Sequence, residues 1–249
     1  MLKDKEIVSF RVSDGNTVKL EHRSTLTSTV ELAREYARAG YPDRYVIFTE
    51  RQGESESGLY MSCILRPSIF PSQAGLIGPL ATVAFAAALE EHTSKKLGIG
   101  WVSDIYCDGI KVGGCSVEGK LDNFTSYEYM IITFAVKIDE RIFPPRLTDM
   151  VRTVFEADNT SVAMIIARTV LNKFFMIYRD LKSPEKHMDA YKAKFALAGK
   201  KIKYLSDGKK RLARVVDIDK KNCTLIIEAK DSSILRISSP SMVIIPNKL

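Results

Sequence analysis

The sequence predicts an α+β protein, a mixed sheet with packed helices followed by a small all-β unit. Three observations carry this. Short apolar runs with strand character (7–12, 17–22, 45–49 and 58–65) precede one helix-spaced stretch that is apolar nearly all round. Further helical patterns lie between 145 and 197, and after Gly199 the pattern changes to five short strands separated by turn signals. Strands around a central helix, with more helices after them, form the layers of an α+β core.

Taken in order, Ile7–Val12 and Thr17–His22 flank Ser13-Asp14-Gly15-Asn16 and predict a hairpin. Leu32, Ala33, Tyr36 and Ala37 recur at helical spacing after Ser28-Thr29, either of which suits an N-cap, and Gly40 ends the run. Tyr45–Thr49 and Gly58–Leu65 predict buried strands. Ile77–Leu97 predicts a central helix, whose most apolar window of about 14 residues is too short to span a bilayer. A hairpin around Asp108-Gly109, a strand at Cys115–Glu118 and another at Tyr127–Ile138 follow. Helices are predicted at Pro145–Glu156, Val162–Leu181 and Pro184–Leu197. Lys201–Leu205, Leu212–Ile218, Cys223–Ala229, Ile234–Ile237 and Met242–Ile245 then suit a small antiparallel barrel. The boundary falls near Ala198, giving units 1–198 and 199–249.

Composition excludes several classes. With 45% apolar and 27% charged residues the chain is globular, and MLKDKEIVSF lacks the apolar run of a signal peptide, so a cytoplasmic location is expected. Cys63, Cys107, Cys115 and Cys223 show no metal spacing and read as buried thiols. His22, His92 and His187 are scattered, which argues against a metal centre or a Ser-His-Asp triad. The net charge of +7 is local: residues from Gly199 onward hold 12 Lys/Arg against 5 Asp/Glu.

Within Gly100–Gly114, the two-residue Asp108-Gly109 turn predicts a type I′ connection. It pairs Cys107 with Ile110, Tyr106 with Lys111 and Ile105 with Val112. Asp104 then shares a face with Lys111 at a diagonal spacing of roughly 7–8 Å. Such a pair can be an ordinary surface contact, or an ammonium oriented by a carboxylate to stabilise charge developing on an attacking carboxylate.

Several motifs occur together in one order. They are Leu-Thr-Ser-Thr-Val-Glu-Leu-Ala at 26–33, Gln52 at a strand end, and Gly-Leu-Tyr-Met-Ser at 58–62 with Leu-Arg-Pro after it. Trp-Val-Ser-Asp-Ile-Tyr at 101–106, Lys-Val-Gly-Gly at 111–114 and Phe-Pro-Pro-Arg-Leu at 143–147 complete the set. In this order the chain resembles the biotin protein ligases, over nearly its whole length. The resemblance implies a class II synthetase-like biotin/lipoate ligase domain with an SH3-like C-terminal barrel. It implies that ATP with Mg²⁺ and biotin are substrates, with no bound prosthetic group and no resident metal site. Biotinyl-adenylate would form and pass biotin to a lysine of a carboxylase's biotin carboxyl carrier domain. The ligase-like elements begin close to Met1, so no N-terminal DNA-binding helix-turn-helix is expected. A homodimer is compatible with the family. No membrane role is implied.

By the same resemblance, Lys111 and Asp104 are the catalytic candidates. Ser28, Thr29, Gln52, Gly113, Gly114 and Cys115 are candidates for biotin, and Trp101, Ser103 and Lys137 for the nucleotide. The chain departs from the family where phosphates bind. The Gly-Arg-Gly-Arg-x-Gly-Arg loop expected after Gln52 is replaced by Gly53-Glu-Ser-Glu-Ser57, which holds no arginine. Gly100, Val102 and Ser103 stand for the family's lysine, proline and asparagine. Ala135-Val-Lys-Ile-Asp139 replaces its Gly-x-Asn-x-Asn strand. Losing several charge-assisted contacts, roughly 1.5–3 kcal/mol each, weakens binding or rate steeply. Three readings follow: a working ligase, a ligase-fold protein that binds biotin, an acyl group or a carrier without adenylation, and a nucleic-acid module. The last would use Lys200, Lys201, Lys203, Lys209, Lys210, Arg211 and Arg214. With only Tyr204 interleaved, these residues suit a solvated face or an acidic dock better.

Overall fold

A computed structural model describes residues 5–53, 58–122, 126–138 and 162–246. The helix expected at 145–156, the Phe143–Leu147 motif and Glu54–Ser57 lie outside these residues. The main sheet is built from β1 (Glu6–Arg11), β2 (Thr17–His22), β3 (Tyr45–Thr49), β4 (Gly58–Leu65), β5 (Leu97–Ile99), β6 (Asp104–Cys107), β7 (Ile110–Asp122) and β8 (Ser126–Lys137). Its order is β1-β2-β3-β4-β8-β7-β6-β5. Every neighbouring pair is antiparallel except β2 and β3, which α1 (Thr29–Arg38) connects as a parallel crossover. The other helices are a short α2 (Pro71–Ala74), the central α3 (Ile77–Glu90), α4 (Val162–Arg179) and α5 (Glu185–Ala193).

Pairing register sorts the central residues onto two faces. Met61, Phe134 and Cys115 form one cross-strand row and turn toward α3, where Phe85 and then Phe174 of α4 meet Phe134 edge-on. The next row, Ser62, Thr133 and Ser116, turns the other way, toward α1. So does the row Tyr60, Ala135, Gly114 and Asp104. One face is the main apolar core; the other carries these small and polar groups beside a second apolar cluster in which Ala33 and Ala37 of α1 pack on Ile47, Ile64 and Ile131.

Two sequence expectations are corrected. The central helix ends at Glu90, not Leu97. The run His92-Thr93-Ser94-Lys95-Lys96 offers no apolar face to continue it, and the Glu90 carboxylate accepts the Leu97 N–H at 3.0 Å. Leu97 and Ile99, alternating with Gly98, become β5. In the hairpin, Asp108 and Gly109 take the positive φ of a type I′ turn, and Cys107–Ile110 and Tyr106–Lys111 pair as expected. Ile105, however, pairs with Gly113 and not with Val112, because a one-residue bulge intervenes. The strands lie so close there that a Cβ on Gly113 would sit 2.5 Å from the Ala135 carbonyl oxygen. One on Gly114 would sit 2.5 Å from that of Ser103. These glycines are demanded by neighbouring backbone.

The C-terminal strands β9 (Lys201–Ser206), β10 (Lys209–Asp219), β11 (Thr224–Ala229), β12 (Ile234–Ile237) and β13 (Val243–Ile244) form a separate five-stranded antiparallel sheet. It meets the main sheet at β6: the Trp101 indole N–H donates to the Cys223 carbonyl at 2.6 Å, and the Tyr106 hydroxyl to that of Pro246 at 2.8 Å. No helix among the described residues is long and apolar enough to cross a membrane.

Glu21, fully buried on β2, shows how this fold houses a charge. It accepts from the Tyr45 hydroxyl at 2.6 Å and Arg23 at 2.8 Å, and pairs with Lys5 at 2.9 Å. Burial alone would raise its pKa, but the bonds from Tyr45, Lys5 and Arg23 outweigh that and hold it below the ordinary 4.5. A lowered folded pKa means that this stabilisation is complete above the unfolded pKa and is lost as pH falls through the folded value. Glu21→Gln should lower urea-unfolding stability near neutrality. Its stability should also decline less than that of wild type between about pH 5 and pH 3.

Candidate functional site

The site begins where α1 starts. Ser28 caps the helix, its hydroxyl accepting the Glu31 N–H at 3.3 Å, and Thr29 behind it is fully buried. Both the backbone N–H and the hydroxyl of Thr29 donate to Gln52 Oε1, at 2.8 and 3.0 Å. Gln52 is brought there by a parallel bridge between Leu26 and Gln52, with the Gly53 N–H on the Leu26 carbonyl. Ser62 donates to Thr29 Oγ1 at 3.0 Å, and Thr133 lies 2.8 Å from Ser62 Oγ. Read from Thr133, the protons run Thr133 to Ser62 to Thr29 to Gln52. The chain ends with the Gln52 amide NH₂ unengaged among the described residues, a donor for a ligand carbonyl.

Beyond this cluster lies an open strip. α1 packs on β3, β4 and β8, leaving Ser116 exposed and Gly114 and Ala135 partly exposed in the middle of the sheet. Arg34 of α1 closes one end with a two-pronged ion pair to Glu118, both contacts 2.6 Å. Lys111 and Asp104 stand at the other end, 2.6 Å apart. The two residues keep the diagonal relation expected from the sequence, and their side chains reach across it into direct contact. From Ser62 on β4 to Asp104 on β6 is three strand spacings, about 14 Å, so the strip suits an elongated ligand.

No family model matches the chain. Over 176 residues it is 24% identical to the bifunctional ligase/repressor BirA of Bacillus subtilis, covering 65% of this chain and 54% of that protein. The chain thus spans about half the length of the curated relatives it matches. In three dimensions it resembles the biotin protein ligase of Aquifex aeolicus with a TM-score of 0.67 at 20% identity, over 90% of this chain and 96% of that one. The same ligase in complex with biotin and ATP gives 0.65 at 21% identity, over 88% and 95%. The fold is that of the biotin protein ligases.

Within this ligase fold the expected site residues separate. Thr29, Gln52, Gly114, Asp104 and Lys111 come to the α1 face, with Ser28 at the helix end. Lys137 is exposed on the same side of β8 as Ala135. Ser103 is partly exposed beside them, its carbonyl taking the Cys115 N–H at 2.9 Å. Gly113 belongs to the opposite row. The Cys115 side chain also turns away, to Thr82 Oγ1 at 3.1 Å. Trp101 is buried, its indole N–H taken up by Cys223 at 2.6 Å. Burial, and secondarily Asp104, push the Tyr106 phenol up to about 12, which keeps its proton for Pro246. Sequence reading had not assigned Ser62, Thr133 and Ser116 to the site. The signal was present in Tyr-Met-Ser and Thr-Phe-Ala, where small or polar residues alternate with large apolar ones.

Burial also raises the Cys115 and Cys223 thiols to about 12 and Cys63 further still. With so little thiolate at pH 8, native protein should resist iodoacetamide at all three positions and become labelled once unfolded. Mass-spectrometric mapping of the labelled peptides reads this directly.

Proposed function

We propose that this chain carries out the chemistry of a biotin protein ligase. ATP activates the carboxylate of biotin as an acyl-adenylate, and the acyl group passes to a lysine amine on a biotin carboxyl carrier domain. The observation that carries the reading is the placement of two unlike groups on one open face. A hydrogen-bond chain ends in a free amide donor at Gln52, and a contacting Asp104–Lys111 pair lies about three strands away. A ureido carbonyl suits the first end, and a reacting carboxylate and phosphate suit the second.

Chemically, a carboxylate oxygen attacks the α-phosphorus and pyrophosphate leaves. The carrier amine then attacks the acyl carbonyl and AMP leaves. Lys111 brings positive charge to the oxygens that become more negative in each step, and Asp104 fixes the direction of its ammonium. Gly114, with no side chain over the strip, lets the ligand lie against the strand between the two ends.

A second reading, binding without adenylation, is favoured by the β3–β4 connection. The Gly58 N–H donates to the Glu50 carbonyl at 2.9 Å, closing the hairpin, so only residues 51–57 stand where the family carries its arginine-rich loop. Glu54 and Glu56 are among them, and carboxylates there oppose a triphosphate.

Biotin-dependent exchange between ATP and pyrophosphate separates the readings. For a ligase, wild type exchanges label and Lys111→Ala loses about 100-fold or more in rate, as when one oxyanion-stabilising donor is removed. Calorimetric binding of biotin with no exchange, at any enzyme concentration, selects the second reading. In either case Gln52→Ala should weaken biotin binding by about tenfold or more, since it removes the terminal donor and leaves Thr29 unpaired.

A further inference from the structure

We propose that the cleft beside Tyr106 holds the phosphate chain of a nucleoside triphosphate between Lys96 and Lys200. The proposal deepens the adenylation reading and rests on it for the identity of the anion's source. In register, Gly98 pairs with Tyr106 and Tyr106 with Lys111, so the cleft adjoins the Asp104–Lys111 end of the strip. It is an open groove of about 340 Å³ between Lys96, Gly98, Tyr106, Asp108, Ala196 and Lys200. A neighbouring concavity of about 630 Å³ shares Lys96, Gly98 and Ala196 with it. Both fall in the size range of small-ligand sites.

The charges facing this space do not cancel. Its two acids are already occupied: Asp108 by Lys95 at 2.8 Å, and Glu90 by Lys194, with both carboxylate oxygens at 2.7 Å. Lys96 and Lys200 are exposed and make no ion pair among the described residues. Two free ammonium groups therefore flank a cleft whose acids are neutralised, which suits a multiply charged anion better than a single carboxylate. The need for them is also structural. Position 100, where the ligase family carries a lysine, cannot carry one here, because a Cβ on Gly100 would lie 2.7 Å from the Tyr106 ring and 3.2 Å from Asp104 Cβ. Lys96 and Lys200 bring charge to this end of the site from two other elements.

The test uses inorganic tripolyphosphate as the probe, the full chain, low salt, and no biotin, so it reads this cleft independently of acyl binding or exchange. Wild type should give a saturable calorimetric isotherm. Lys96→Ala/Lys200→Ala should weaken it by about threefold to thirtyfold, since each exposed contact is worth up to about fivefold. Lys209→Ala/Lys210→Ala, which removes two exposed lysines at the start of β10, should leave it unchanged. Circular dichroism checks that both variants are folded. Absence of binding in wild type overturns the proposal, as does equal weakening by the two double variants. Loss of poly-glutamate binding in Lys96→Ala/Lys200→Ala with tripolyphosphate binding intact overturns it in favour of a dock for an acidic protein.

Discussion

β7 slips by one residue against β6 at Val112, and that slip sets the direction of the side chains that follow. With it, Val112, Cys115 and Val117 turn toward α3 and the core, while Lys111, Gly114, Ser116 and Glu118 turn toward α1. Without it, alternation alone would carry Cys115 and Val117 to the open strip and push Ser116 and Glu118 into apolar packing. The Asp104–Lys111 contact, the glycine floor and the Arg34–Glu118 closure all sit on one side because of this one extra residue. Two glycines make the slip possible, since the adjoining carbonyls of Ala135 and Ser103 leave no room for a Cβ.

The polar chain from Thr133 to Gln52 is the second organising feature. It joins β8, β4, the start of α1 and the segment after β3 through side chains with no charge among them. The Ser62 and Thr29 hydroxyls each give and receive, so the orientation of one fixes the next. Breaking any link strands a buried donor or acceptor, at a cost of about 1–3 kcal/mol. The arrangement can hold the Gln52 amide in one direction before any ligand arrives, which reduces what binding must spend on ordering.

Much of this was legible in the sequence where information is local. β3 and β4 have the predicted limits, because each is a short apolar run bounded by turn residues. The Asp108-Gly109 turn followed from its two residues alone. The end of α3 has a local cause too, the polar run His92–Lys96, but Leu97 beyond it fits the helical period until its partner on β6 claims it for a strand. Gly113-Gly114 suits a bulge as well as a close approach to ligand, but the pairing that a bulge displaces, Ile105 with Val112, is fixed only once β7 also lies against β8. The Ser62–Thr133 contact spans 71 positions and has no local signature. Trp101 and Cys115 matched a family pattern by position, but the direction of each side chain depends on neighbours far along the chain.

Trp101 is the chain's single tryptophan, and its indole is held at the seam between the two sheets by a carbonyl 122 positions away. Its fluorescence therefore comes from one place. Emission colour and quenching report how dry that seam is, without a label and against a background of ten tyrosines. Any ligand or partner that loosens the C-terminal sheet from β6 would register as a red shift at this one residue, which makes the protein its own optical gauge of whether its two sheets remain seated together.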